Sequence, residues 1–223
     1  PLSLGFSVYR VFPDNRVDDA YRDFIRTMGK LGMQYVRMNL DWGALEPGPG
    51  KYCWDTPDQL LEVAAREGLP AMFWMFPTAR GSGLSDAGVP AWTLREPSID
   101  RHGKPGNFPC IWSPFYRERY FALLDALTKR YAGDPRLFRF AFDFGNSDFA
   151  YSYHFYGDRA DLFDYSPHEQ AAFARWLEQK AFPLGEISRR WGRDFKNYAE
   201  VPVPLSEQTE AWMIYEDFRV WGV

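Results

Sequence analysis

The sequence lacks three features that would each point to a particular class of protein. It contains no run of about 18 apolar residues, so no membrane-spanning helix is predicted. It has only two cysteines, Cys53 and Cys110, which cannot build a disulfide-rich scaffold or a CxxC metal motif. The two thiols are either free or joined in one bridge. The chain also has no basic stripe, and its net charge of -4 argues against a nucleic-acid backbone as the partner.

Aromatic side chains are the feature that the sequence has in excess. The 223 residues include 9 Trp, 13 Tyr and 19 Phe. Aromatic side chains fill hydrophobic cores, and they also form platforms for the apolar faces of sugar rings. Core packing accounts for most of them, but carbohydrate is the ligand class that the surplus favours. The chain begins at Pro1 without a signal peptide, as expected of a mature or trimmed form of a soluble protein, cytoplasmic or secreted.

Strand and helix patterns alternate along the first two thirds of the chain. Apolar runs predict four buried strands at residues 2–9, 34–40, 69–76 and 138–144. Amphipathic segments predict helices between them, at residues 18–28, 56–68 and 117–131. Because short connections join these units, the strands are expected to be parallel, with right-handed crossovers.

Two long connections interrupt this rhythm. Residues 77–114 are rich in Gly and Pro and show no clear periodicity, so they are expected to form an irregular and functional segment. A polar aromatic loop at residues 149–165 follows the fourth strand. Further helices are predicted at residues 166–180, 184–191 and 207–220, the first of them capped by Ser166.

The expected fold class is α/β, as a TIM (β/α)8 barrel of which this chain supplies about the first four βα units plus a helical extension. Four strands are half of an eight-stranded barrel, and a full barrel takes about 250 residues. We therefore expect one catalytic barrel domain over residues 1–223 that is incomplete by itself. A second segment or a further copy of the chain would complete it.

The motifs along these units resemble those of family 42 β-galactosidases, which belong to the clan of retaining (β/α)8 glycoside hydrolases. The resemblance extends in order over residues 4–220. It rests on the following segments: LGMQYVR at 31–37, DWGALEPGPGKY at 41–52, PTA at 77–79, PAW at 90–92, Cys110 with SPFYR at 113–117, FARWL at 173–177, and Leu184-Gly185 with RWG at 190–192 and Phe195.

The end of the fourth strand departs from the family pattern. The family has Asn-Glu there, with Glu as the general acid/base, whereas this chain has Asn146-Ser147. A serine hydroxyl is too weak an acid to protonate a glycosidic oxygen, as retaining hydrolysis requires. Three explanations stay open: a deliberate Glu→Ser replacement, transfer of the acid role to Asp148, and a naturally non-catalytic protein or a misalignment. The family's nucleophile lies on the seventh strand, for which this chain shows no counterpart.

The resemblance, together with positions at or near predicted strand ends, gives a set of expected sugar-binding residues. Asn146 is expected to hydrogen-bond the sugar 2-hydroxyl, and Arg37 to support the nucleophile, with a turn residue and a structural ion pair as the respective alternatives. The other expected substrate-binding residues are Trp42, Trp112, Trp191, Tyr151 and His154, and Trp74 is a further candidate for stacking on a sugar. For each of these tryptophans, burial in the core is the competing interpretation. Glu46 is expected to stabilise its loop.

The predicted function is therefore that of a retaining glycoside hydrolase that releases a terminal sugar, β-galactosidase-like and inactivated at Ser147. The alternatives are a non-catalytic carbohydrate-binding barrel and a clan relative with another sugar specificity. The expected partner is an oligosaccharide or glycoside, with no nucleic acid and no membrane. No cofactor is expected. No structural zinc is expected either, because the several cysteines of zinc-binding family members are missing.

Overall fold

The computed structural model contains a parallel sheet of four strands, and it describes residues 4–8, 12, 15–75, 89–142, 164–205 and 208–221. The four strands are β1 Gly5–Val8, β2 Tyr35–Leu40, β3 Ala71–Met75 and β6 Leu137–Phe142. They lie side by side in the order β1-β2-β3-β6. Each pair of neighbours is parallel, with Ser7 beside Arg37, Asn39 beside Trp74 and Trp74 beside Ala141. The carboxyl ends of all four strands therefore point in one direction.

Helices connect these strands. The helices are α1 Asp19–Lys30, α2 Trp42–Leu45, α3 Asp55–Arg66 and α4 Pro114–Tyr131. Asp18 begins α1 by accepting a hydrogen bond from the backbone N–H of Tyr21. Because α1, α3 and α4 each fill the connection between two neighbouring parallel strands, the sheet follows the β/α rhythm expected from the sequence.

The two faces of the sheet differ in burial because side chains alternate along a strand. On β2, Val36, Met38 and Leu40 are buried, whereas the residues between them are partly exposed. Ring contacts of Phe73 and Phe140 with Tyr131 show that α4 packs on the buried face. The opposite face is more polar, and its side chains include Ser7, Arg37, Asn39, Trp74 and Arg139.

The chain divides into two compact units. The first comprises Pro1–Trp92 and Glu118–Gly145 and contains the sheet. The second comprises Thr93–Arg117 and Asn146–Val223. It contains an antiparallel pair, β4 Pro97–Ile99 with β5 Pro105–Pro109, and helices α5 Pro167–Gln179, α6 Leu184–Trp191 and α7 Thr209–Trp221. Its core is an aromatic cluster around Phe173, Trp176, Trp191, Tyr215 and Phe218.

The predicted alternation of strands and helices is confirmed, with boundaries that differ by a few residues. The expectation of an irregular connection over residues 77–114 is wrong for part of that range. Ala91–Arg95 form a 3-10 helix, and β4 pairs with β5. β4 and β5 have three and five residues and contain Pro. Strands this short repeat the apolar–polar alternation too few times for it to be detected in the sequence.

Within the described part of the chain, no helix combines the length and the apolar character that crossing a bilayer requires. Both cysteines are free thiols, Cys110 buried and Cys53 partly exposed. Of the two states that the sequence left open, the structure therefore has the reduced one.

Candidate functional site

The candidate site lies at the carboxyl ends of the parallel strands, where α/β barrels carry their chemistry. Four of the expected site residues, Asn146, Ser147, Tyr151 and His154, lie outside the described residues, as does Asp148. Their roles stay predictions. The described part of the site is built by β2, β3 and the loop that follows β2.

Arg37 lies on the polar face of the sheet. Its Nε donates a 2.8 Å hydrogen bond to Oγ of Ser7, the residue beside it on β1. Its guanidinium carbon lies 3.5 Å from the ring centroid of Trp74 on β3, within the range of a cation–π contact. The guanidinium of Arg37 thus contacts side chains of both neighbouring strands, β1 and β3. The arrangement brings together Arg37 and Trp74, both of which the sequence put forward as site residues.

Two residues on the same face of β2, Asn39 and Asp41, were not singled out from the sequence. Asp41 follows the strand with φ -105° and ψ 117°, an extended conformation that continues the alternation of side chains. Arg37, Asn39 and Asp41 therefore lie in one row that leads to the carboxyl end of the strand. The signal for this row was visible as polar residues at every second position of YVRMNLD.

Each of these two side chains has a buried acceptor that is not used. Oδ1 of Asp41 accepts a 3.0 Å hydrogen bond from the backbone N–H of Gly43 and so begins α2. Its Oδ2, like Oδ1 of Asn39, is buried and has no hydrogen-bond partner among the described residues. Burial raises the pKa of Asp41 to about 7, against the lowering effect of the backbone N–H groups of Gly43 and Ala44. Unsatisfied buried acceptors are uncommon, and two in one row mark this strand end as unusual.

Glu46 stabilises the loop after β2 from a fully buried position. Its Oε2 accepts a 2.8 Å hydrogen bond from Nε1 of Trp42. Its Oε1 accepts a 2.6 Å hydrogen bond from the backbone N–H of Gly50 and pairs with the guanidinium of Arg119. Its backbone carbonyl accepts a 3.2 Å bond from Nε1 of Trp92. Both oxygens of the carboxylate thus accept hydrogen bonds that stabilise the loop, as the sequence led us to expect.

The structure favours the core alternative for Trp42. Its side chain has no exposed surface, and its ring contacts Trp92 edge-on and Tyr120 at a tilt. A fully buried indole offers no face to a sugar ring. Trp74 on β3 is partly exposed instead, and it lies beside Asn39 in the register of the sheet.

Trp112 and Trp191 belong to the second unit. Trp191 is buried in the aromatic cluster and donates a 3.0 Å hydrogen bond to the carbonyl of Pro202, which favours its core alternative as well. Trp112 is partly buried and stacks on Phe218, with the guanidinium carbon of Arg117 at 5.2 Å from its ring centroid. One face of the Trp112 ring is therefore packed against Phe218.

A second buried cluster of titratable groups surrounds the start of α5. One ligand atom each from Cys110, Asp164 and Glu169 lies within 4.8 Å of the others, a spacing that could hold a metal ion. Hydrogen bonds engage one oxygen of Asp164, whereas its Oδ2 is buried and has no hydrogen-bond partner among the described residues. Oδ1 of Asp164 accepts from the backbone N–H groups of Ile99 and Ser166, and Cys110 Sγ lies 3.2 Å from Ser166 Oγ.

The same network keeps the thiol neutral. Burial, followed by the nearby charge of Asp164, raises the pKa of Cys110. Oε1 of Glu169 accepts a 2.7 Å hydrogen bond from the hydroxyl of Tyr215. These contacts account for the cluster as a structural anchor for α5, whose N-cap is Ser166. The predicted absence of structural zinc stays a prediction.

The family model described as "Beta-galactosidase", that of glycoside hydrolase family 42, matches residues 10–220. A β-galactosidase of Thermus thermophilus is 28% identical over 208 residues, which cover 86% of this chain and 29% of that protein. An exo-β-D-glucosaminidase of Thermococcus kodakarensis is 26% identical over 226 residues, covering 92% of this chain and 28% of that protein. The chain thus spans about three tenths of the length of these curated relatives.

Solved structures show the same architecture. A β-galactosidase from Halorubrum lacusprofundi matches with a TM-score of 0.70 and 20% identity, over 98% of this chain and 33% of that one. The catalytic domain of a β-amylase from Paenibacillus polymyxa matches with a TM-score of 0.67 and 15% identity, over 98% and 58% respectively. The prediction that this chain carries part of a TIM-barrel glycosidase fold is confirmed.

Proposed function

The chain belongs to glycoside hydrolase family 42, and from that premise we propose that the protein is a retaining, β-galactosidase-like glycoside hydrolase that releases a terminal sugar. The observation that carries the proposal is the ordered match of the family model over residues 10–220. The parallel sheet supports it, because its strand ends gather Arg37, Trp74, Asn39 and Asp41 on one face. Polar groups beside an indole ring suit a ligand with hydroxyls on one side and C–H groups on the other.

Retaining hydrolysis needs two carboxyl groups. One protonates the leaving oxygen, and the other attacks the anomeric carbon to form a glycosyl-enzyme that water then cleaves. In our proposal Ser147 occupies the position of the acid, next to Asn146, which binds the sugar 2-hydroxyl. The protein in this form therefore binds its substrate but protonates the leaving group poorly.

We further propose that additional β/α units complete the barrel and supply the nucleophile. The length comparison supports this, since the curated relatives are more than three times as long as the part that this chain matches. The sheet supports it as well. Within the described residues, β1 and β6 each pair with a strand on one side only, so further strands can pair at both edges. Parallel sheets are also usually covered on both faces, which further β/α units would achieve.

The test replaces Ser147 by Glu in the full-length protein. We expect kcat/KM to rise by about 10²- to 10⁴-fold for an alkyl β-galactoside, whose poor leaving group needs protonation. The rise should be far smaller for a dinitrophenyl β-galactoside, whose leaving group departs without an acid. Ser147→Gln is the matched control, since it adds the same volume without an acidic group.

Two other functions are distinguished by the same measurements. Unchanged rates in a folded Ser147→Glu variant that still binds galactosides would refute the hydrolase and favour a carbohydrate-binding barrel, a candidate that Ser147 itself suggests. Hydrolysis of β-glucosaminides in preference to β-galactosides would indicate another sugar specificity, a candidate suggested by the glucosaminidase among the relatives.

A further inference from the structure

The carboxyl end of β2 carries two buried acceptors that nothing in the described protein satisfies, Oδ1 of Asn39 and Oδ2 of Asp41. Leaving a buried polar group without a partner costs about 1–3 kcal/mol, so such groups are normally paired. The two buried acceptors at this strand end each need a hydrogen-bond donor. A ligand with hydroxyl groups can supply both donors.

The neighbouring side chains narrow the ligand class. Trp74 lies beside Asn39 on β3, and the guanidinium of Arg37 lies over one face of its indole ring, so a ligand would use the other face or the ring edge. Arg37 also precedes Asn39 by two residues in the same row. The strand end therefore presents an aromatic ring next to two oxygen acceptors, a combination that matches the C–H face and the hydroxyl groups of a pyranose ring.

The geometry of Asp41 supports a role in binding rather than in capping alone. An N-cap aspartate needs one oxygen for the helix, and Oδ1 of Asp41 serves this purpose through Gly43. Oδ2 is not required for α2. In Asp18, the corresponding N-cap of α1, Oδ1 likewise accepts the capping bond, from Tyr21, which makes this residue a natural comparison.

We infer that Asn39 and Asp41 are substrate-positioning residues that accept hydrogen bonds from hydroxyl groups of the bound sugar, with Trp74 as the adjoining platform. The inference rests on the proposed function, because it names the residues that orient the sugar at the same strand edge. It assigns them no part in proton transfer to the leaving group. Their effect is to fix which hydroxyls the site recognises.

The experiment is calorimetric titration of the full-length protein as it stands, with Ser147 in place, so that binding is measured with little turnover. It is carried out at about pH 8.5, above the raised pKa of Asp41, where the carboxylate is ionised and Oδ2 is an acceptor. The ligands are an alkyl β-galactoside and its 2-, 3-, 4- and 6-deoxy analogues. The variants are Asp41→Asn, which puts an N–H donor where a hydroxyl needs an acceptor, and Asn39→Ala. Asp18→Asn is the control for changing an N-cap aspartate, and thermal melting checks the fold of every variant.

We expect Asp41→Asn and Asn39→Ala each to weaken binding of the parent galactoside by about 10- to 100-fold, with Asp18→Asn unchanged. For each variant, one deoxy analogue should bind about as weakly to the variant as to the unchanged protein, because the missing hydroxyl and the missing acceptor belong to the same hydrogen bond. If the substitution and the missing hydroxyl weaken binding independently for all four analogues, their fold losses multiply. That result would overturn the inference while leaving the proposed function intact. Failure of the unchanged protein to bind any galactoside would refute the proposed function, and the inference with it.

Discussion

The indole N–H of Trp42 donates a 2.8 Å hydrogen bond to Oε2 of Glu46, and neither residue has exposed surface. The two residues stand at opposite ends of the short helix α2. Their hydrogen bond therefore links the first residue of α2 to the residue that follows the helix. The same carboxylate pairs with Arg119, 73 positions further along the chain. One buried acidic group thus joins the loop after β2 to helix α4.

This relationship predicts a large loss of stability for Glu46→Gln. The amide keeps the size of the side chain but must direct an N–H₂ group towards one of three donors, from Trp42, Gly50 or Arg119. We expect the free energy of unfolding in urea to fall by about 2–4 kcal/mol.

Glu62→Gln is the matched control for this change. Glu62 pairs with Arg66 on the surface of α3, with more than half of each side chain exposed. Exposed pairs spaced by four residues contribute about 0.3–0.5 kcal/mol. Equal losses for the two variants would show that the buried pair is not the link we describe.

Asp41 should make stability depend on pH. Its pKa is raised from 3.8 to about 7, chiefly by burial, so the folded protein holds a proton that the unfolded chain releases between these values. Stability contributed by this group is fully present below about pH 4 and is lost as the pH rises to about 7. The difference between the two pKa values corresponds to at most about 4 kcal/mol.

Asp41→Asn removes this titration, so the variant should gain stability relative to the parent between pH 4 and pH 7 and keep a constant difference above that. Urea denaturation at a series of pH values measures the effect. Asp18→Asn corrects for the exchange of an N-cap residue. A difference between variant and parent that does not change with pH would contradict the raised pKa.

The two thiols should differ in reactivity. Cys110 is buried, and its surroundings raise its pKa, so little thiolate forms at neutral pH. Cys53 is partly exposed. We expect iodoacetamide to label only Cys53 in the folded protein at pH 8, and both cysteines in denaturant, as measured by mass spectrometry. Labelling of a folded Cys53→Ser variant at Cys110 would show that this thiol is accessible.

The elements of the fold could be predicted because their signals are local. The helix predicted at residues 184–191 has the bounds observed for α6, and Ser166 caps α5 as its hydroxyl side chain and the following Pro167 indicated. The β4–β5 pair could not be predicted in the same way. Its strands are short, and the pairing is decided by contacts between segments rather than by periodicity.

The candidate site was only partly visible in the sequence. The motifs located the strand edge and Arg37, and a position near a strand end suggested Trp74, which the structure brings into contact with Arg37. They also put forward Trp42, although burial of its ring was not readable from a position near a strand end. Asn39 and Asp41 were missed because an alternating polar pattern shows which residues share a face, but not which of their atoms lack a partner.

The sequence by itself determined the order of strands and helices, their parallel arrangement and the family, because periodicity, caps and motifs are properties of neighbouring residues. Only the tertiary structure decided which of the aromatic residues are core and which buried charges are paired. Glu46 and Arg119 meet across 73 positions, and no local pattern records such a contact. It forms because burying a carboxylate is unfavourable unless a cation and hydrogen-bond donors from other segments surround it.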